Sequence, residues 1–545
     1  MFLNKILFIA ILVNYIIYSL TLFMWCGGYY TYKDLFGPLS KNFTVTLSLI
    51  SFLILSLTYL LVVKGSKGSK ITSLSVFILM VSSIYVLPDI ADSYYDQNFY
   101  DAGGHMIRGA FVTLTGHSDP DIDAYFDLQP GFFWFTAMFI NIVYGLPKTL
   151  EDPIFSFLVK WFHIIAVAFY IPIIYMLFQK YELRDRGILL ALFLFYVLNL
   201  GRFHYAAQTY ANALFWLLLT LLPDIIMSRD SKKLFTALPI LTTTVFVHNG
   251  VTVFTIITLL STSMSMLFSK QLKKAFLPVS ALLVYLLLSW FIYLLYVSKF
   301  TLSNFISTFI DIVNRYLGEG PIEITLTGLW RAWQPWAIIV RFKVAYMATI
   351  ILAVTVLTMW IYRITKNEIY VLRTFIILGI SVFIGAVAVA LGGAGYIERV
   401  YLLLLPLISL TLTETINNSK QRTILKKLAL MLMICYVIIA PFAFFSGRNF
   451  QSIPTSDGKA GLFLRTYTES IVRLYLKVKA TSALTPLSTN QTLIQDTIYW
   501  LRQHDFIQTL YYVVGDIIVL NNYVYKLKLA CSIIHSNPTT QIFQC

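Results

Sequence analysis

Residues 275–298 read AFLPVSALLVYLLLSWFIYLLYVS. This stretch carries no charge and lies between Lys270, Lys273 and Lys274 on one side and Lys299 on the other. As a helix rising about 1.5 Å per residue it is about 36 Å long, enough to cross a hydrocarbon layer of roughly 30 Å. It is apolar on every face, so it has no side to turn to water. The run reads as a transmembrane helix with cations at its ends.

Twelve further runs of this kind give about thirteen spans in all. They fall near 5–25, 42–63, 71–88, 156–178, 187–203, 207–227, 234–248, 250–268, 339–362, 372–391, 399–416 and 427–446. The pair 234–248 and 250–268 is also compatible with a tight or partly re-entrant hairpin. Composition agrees: 58% of residues are hydrophobic, 12% are charged, and the mean hydropathy is +0.74, far from a soluble domain. The net charge of +15 sits in short clusters between apolar runs, which excludes a nucleic-acid partner and sets topology. Lys64, Lys67 and Lys70, then Lys180, Arg184 and Arg186, then Arg229, Lys232 and Lys233 mark alternate loops. Lys270, Lys273 and Lys274, then Arg363 and Lys366, then Arg422, Lys426 and Lys427 continue the series. With cations held inside, the N-terminus is cytoplasmic and the C-terminus extracytoplasmic.

The fold class expected is therefore an all-α polytopic membrane protein with juxtamembrane helices in its outer loops and a small C-terminal extracytoplasmic α/β domain. The membrane domain covers 1–447, with a first outer loop at 89–155 and a second at 299–338; the appendage covers 448–545. Strand-like runs such as Tyr511-Tyr512-Val513-Val514 and Ile517-Ile518-Val519-Leu520 mark the latter. Cys531 and Cys545 could form a disulfide if that region is extracytoplasmic, which spacing alone does not show. A composition rich in isoleucine and tyrosine leans toward an archaeal cell membrane.

The first outer loop concentrates the carboxylates. In a helix, Asp89, Asp92 and Asp96 share one face, and Asp101, His105 and Arg108 another, with Tyr95, Phe99 and Met106 as an apolar stripe. An amphipathic helix on the membrane surface has this pattern. The loop continues through Asp119, Asp121 and Asp123, which lack the glycine and glutamate of a calcium loop. It then reaches Tyr125-Phe126-Asp127-Leu128-Gln129-Pro130 and an aromatic stretch, Gly131 to Tyr144, expected as an interfacial helix.

Three motifs in this order resemble the GT-C superfamily of polyprenyl-phosphate-sugar-dependent glycosyltransferases. They are Asp96 with Tyr100 in the juxtamembrane loop, the Tyr125–Pro130 element leading into Phe132, Phe133 and Trp134, and Gly395-Tyr396-Ile397-Glu398-Arg399 ahead of Pro406. The second is similar to the aminoarabinose transferase branch, although Leu128 stands where that branch has lysine. No Trp-Trp-Asp motif follows the last helix, which argues against oligosaccharyltransferase activity.

The resemblance implies an inverting transfer from a polyprenyl-phosphate sugar to a lipid-linked glycan or glycoprotein acceptor. A carboxylate takes the acceptor proton, and cations meet the leaving phosphate. Asp96 is the expected base, with Asp101 next. Arg399, Arg341 and Lys343 are expected at the phosphate, and Tyr396, Asp127, His105 and His248 at the substrates. Each also has a plainer reading: Asp96 and Asp127 as solvated loop acids, Arg341 and Lys343 as interface anchors, His248 as a structural histidine. No cofactor is required; a divalent metal held by Asp96, Asp127 and His105 is left open. The rival classes are a lipid or oligosaccharide flippase and a non-catalytic assembly subunit. A transporter would carry charges at mid-membrane, where this chain has almost none.

Overall fold

The computed structural model describes residues 2–27, 45–57, 84, 87, 100–118, 125–148, 152–180, 185–198, 205–228, 231–267, 272–298, 302, 306, 351–352, 354–361, 377–385, 387, 394–417, 423–451, 511–515, 532–536 and 540–544. Helix dominates. Helix α1 is Phe2–Gly27, α2 Tyr100–Thr115, α3 Tyr125–Leu128, α4 Pro130–Val143, α5 Pro153–Lys180 and α6 Asp185–Leu198. They are followed by α7 Ala207–Ser228, α8 Ser231–Val247, α9 Asn249–Leu267, α10 Phe276–Tyr296, α11 Ala394–Asn417 and α12 Thr423–Gln451.

Among the described residues three helical stretches are long and apolar enough to cross a membrane: Ala207–Met227, Asn249–Leu267 and Lys273–Tyr296. A fourth is added if Pro153–Val159 and Ile164–Lys180, bent by 55°, form one span. Shorter apolar stretches lie at Ile6–Thr21, Val45–Leu57, Pro130–Val143, Gly187–Tyr196 and Leu402–Ile416. The expected span 71–88 falls almost wholly outside the described residues. Helix α10 carries an apolar outer face, as a helix bordering lipid does: Leu277, Val284, Leu288, Phe291, Ile292 and Leu295 are all exposed, while Val279, Leu282, Leu286 and Tyr293 face the core. An apolar stripe of that length facing water would be a large uncompensated cost.

Two clusters mark opposite ends of the bundle. At one, Lys180 at the end of α5 meets Asp224 of α7 at 2.7 Å, and Lys233 at the start of α8 lies 3.9 Å from the same carboxylate. At the other, the segment before α7, the junction of α8 with α9, and the late part of α10 come together around α3 and α4. The basic loops following α5 and α7 therefore share an end, as the charge pattern predicts.

Between the ends, indole donors tie remote helices. Trp216 Nε1 donates to the Leu403 carbonyl at 3.2 Å, linking α7 to α11. Trp360 Nε1 donates to Thr411 Oγ1 at 2.8 Å, linking the helical stretch 354–361 to α11. With no water in a hydrocarbon interior, such donors need protein partners.

Near the C-terminus, strands β1 (Tyr511–Gly515), β2 (Ser532–Ser536) and β3 (Thr540–Gln544) form an antiparallel sheet in the order β1-β3-β2. A register irregularity lies between Ile533 and His535. Strand β1 covers the Tyr-Tyr-Val-Val run; residues 517–520, Cys531 and Cys545 lie outside the described residues.

Candidate functional site

The loop element Tyr125–Pro130 is where the sequence-remote contacts converge. Helix α3 is a single turn that stops because Pro130 brings no N–H and takes the first position of α4. A helix running on would satisfy the Leu128 carbonyl with the Phe132 N–H, but that group donates to the Gln129 carbonyl at 3.3 Å. The missing donor comes from 121 residues away: Asn249 Nδ2 bonds the Leu128 carbonyl at 3.1 Å. Asn249 Oδ1 in turn accepts from Trp290 Nε1 of α10 at 3.2 Å. An indole N–H only donates and a carbonyl only accepts, so the two partners allow one orientation of the amide.

Gly131 explains how the junction gets so close. A Cβ there would meet the Phe246 Cβ and carbonyl oxygen at 3.0 Å and its carbonyl carbon at 3.1 Å. The start of α4 thus lies directly on the backbone of α8. Its neighbour His248, the single residue between α8 and α9, accepts the Val251 N–H on Nδ1 at 3.2 Å. That is an N-cap of α9 by an imidazole, satisfying one of the donors orphaned at a helix start. His248 is buried and bonded from its main chain on both sides, to the Thr244 carbonyl and the Thr252 N–H.

His105 reaches the same place from α2. Its ring lies 5.6 Å from Phe132, edge to face, and 6.0 Å from Phe133, and it is buried. The sequence pattern sets His105 on a polar face with Asp101 and Arg108, and the structure buries it. Helix α2 runs on to Thr115 and packs a buried face of His105, Gly109, Ala110, Val112 and Thr113 into the core. Gly109 permits the approach, since a Cβ would stand 3.0 Å from both Thr136 Cγ2 and the Tyr205 hydroxyl. Tyr205 and Thr136 are bonded at 2.6 Å, and Thr136 also donates to the Phe132 carbonyl at 3.0 Å. Burial pushes the Tyr205 phenol far above its ordinary range; the Thr136 bond offsets only part of this. Tyr205 is a neutral hydroxyl at any working pH.

Helix α4 separates this core from another environment. Phe132, Phe133, Thr136 and Ile140 face inward, whereas Trp134, Phe135, Met138, Ile142 and Tyr144 are exposed. Fourteen residues make about 21 Å of helix, too short to span. An apolar outer face on a helix of that length fits an element lying along the lipid boundary, with Trp and Tyr at the interface.

The structure thus gathers His105, the α3 backbone that carries Asp127, and His248 around the start of α4. Asp101 is the second residue of α2. Tyr396 and Arg399 belong to the first turns of α11. The side chains of Asp101, Asp127, Tyr396 and Arg399 are outside the described set, and Asp96, Arg341 and Lys343 lie outside the described residues altogether. Among the described residues no group of three or more His, Cys, Asp or Glu is placed to hold a metal. Asn249, Trp290, Thr136 and Tyr205 are the site residues that reading the sequence misses. Asn249-Gly250 between two apolar runs signals only a turn, and nothing local marks its partner as Leu128.

No protein-family model matches the chain, and no curated protein matches it. Among solved structures it is similar to the oligosaccharyltransferase of Archaeoglobus fulgidus in the apo form, at 12% identity with a TM-score of 0.43. That likeness covers 75% of this chain and 60% of the other, less than two-thirds of the length of that enzyme.

Proposed function

We propose that this chain is a membrane-embedded inverting glycosyltransferase that moves a sugar from a polyprenyl-phosphate donor to a lipid-linked or protein-linked glycan acceptor. The reaction takes place on the extracytoplasmic side, in a multi-pass protein of the cell membrane with its N-terminus inside. One observation carries the reading. The aromatic-acidic-x-Pro element of the first outer loop is built into the bundle end opposite the basic loops, between α2 and the α8–α9 junction. A loop whose role was only to connect spans would not need a side-chain bond, a glycine contact and a buried histidine to fix it.

In this reading Asp96 takes the acceptor proton as the sugar carbon is attacked from the face opposite the phosphate. Asp101 is the second choice for that role. Arg399, with Arg341 and Lys343, stabilises the phosphate as it leaves with the bonding pair. Asp127, His105, Tyr396 and His248 line the substrates. For His248 this requires the ring to serve as helix cap and site wall together. The C-terminal residues 448–545 form a separate extracytoplasmic domain.

The test is transfer of a radiolabelled sugar from a panel of polyprenyl-phosphate donors by purified wild type and Asp96→Asn. Wild-type transfer, with a mutant that binds donor but loses at least a hundredfold in kcat, supports enzyme and base together. No transfer from any donor sinks the enzyme, and glycan transport in vesicles then decides for a flippase.

A further inference from the structure

The unusual feature of the site is that its acidic loop element is held by an amide that lies far away in sequence and belongs to none of the motifs. We propose that Asn249 is a positioning residue. By donating to the Leu128 carbonyl it fixes α3, and so the main-chain position of Asp127; by donating to Asn249, Trp290 fixes which way that amide faces. The kinetic side of this proposal rests on the glycosyltransferase reading, while the structural side does not.

Three observations support it. The Leu128 carbonyl ends a one-turn helix, and the Phe132 N–H that would serve it is turned to Gln129, so its place depends on the donor supplied at 3.1 Å by Asn249. The Trp290 bond at 3.2 Å leaves that donor no choice of direction. The base under Asn249 is stiff, because His248 caps α9 and Gly131 lies against the main chain of Phe246. The element 125–130 is thereby given the precision of the bundle, as a reacting geometry needs.

Asn249→Asp separates this role from packing, because it keeps the shape and the Trp290 bond but sets a carboxylate against the Leu128 carbonyl. With full-length protein in detergent, deuterium uptake by peptides covering 125–133 should rise at least threefold, with 207–228 unchanged. kcat should fall about three- to tenfold, the size of one lost hydrogen bond, at an unchanged donor KM. Acidification should restore part of the loss as the carboxyl gains a proton to donate. Trp290→Phe, a milder change should Asn249→Asp fail to fold, should move both readouts the same way by about half. Trp360→Phe, which loses a still more deeply buried indole bond elsewhere, should leave uptake at 125–133 as in wild type. Normal uptake and kinetics in Asn249→Asp would overturn the proposal, as would raised uptake with wild-type kinetics. If the wild type itself transfers no sugar, the functional reading fails. Raised uptake would then leave Asn249 as a fold element only.

Discussion

Replacing Gly131 by alanine tests whether close backbone approach builds this site. The added Cβ would sit 3.0 Å from the Phe246 carbonyl oxygen and 3.1 Å from its carbonyl carbon, where ordinary contact begins near 3.4 Å. Main-chain atoms of a packed helix cannot rotate aside, so α4 must withdraw from α8 by about half an ångström. Overpacking of this kind costs about 1–3 kcal/mol. Alanine's propensity gain over glycine of up to about 1 kcal/mol belongs to helix interiors and is small at the second residue of α4, which leaves a net loss of about 1–3 kcal/mol. For a chain of 545 residues this lowers the thermal midpoint by about 1–3 °C, read in detergent by tryptophan fluorescence. Serine should behave like alanine, and valine should be worse. The clashing atoms of Phe246 are its Cβ and main chain, all of which alanine retains, so Phe246→Ala should not rescue Gly131→Ala. Rescue, or a Gly131→Ala protein as stable as wild type, would refute the reasoning.

Tyr205→Phe removes the 2.6 Å bond to Thr136 but leaves Thr136 its bond to Phe132, so only about 1 kcal/mol is lost, visible as a small drop in thermal midpoint with no change between pH 6 and 9. Asp224→Asn frees Lys180 and Lys233 at a partly exposed site. Its cost should be below about 1 kcal/mol and should vanish in high salt, as a salt titration of thermal stability would show. Chelation with EDTA should leave most transfer activity intact; a large loss restored by manganese or zinc would show that a metal takes part.

Sequence alone reaches the apolar stretches Ala207–Met227, Asn249–Leu267 and Lys273–Tyr296, because their character is local. An uncharged run such as 275–298 leaves water for lipid or for a protein interior, because transfer free energy adds along it. For α4 the interfacial reading rests on the even count of crossings that keeps the basic loops on one side, and its fourteen residues agree with it. Proline placement also reads locally, and Pro130 starts α4 where expected. His105 shows where this stops. Its polar neighbours on α2 suggest a wetted face, and only the packing of Phe132 and Phe133 against it shows that the face is buried. His248 likewise looks the same in sequence whether it caps a helix or touches a substrate. The tie from Asn249 to Leu128 and Trp290 is beyond any periodicity, since its partners are 121 and 41 residues away. Apolar patterning decides which segments leave water, because transfer free energy adds residue by residue. Which carbonyl lacks a donor, and which amide supplies it, is settled only when the helices have packed, because a hydrogen bond depends on ångström placement of groups the chain brings together last.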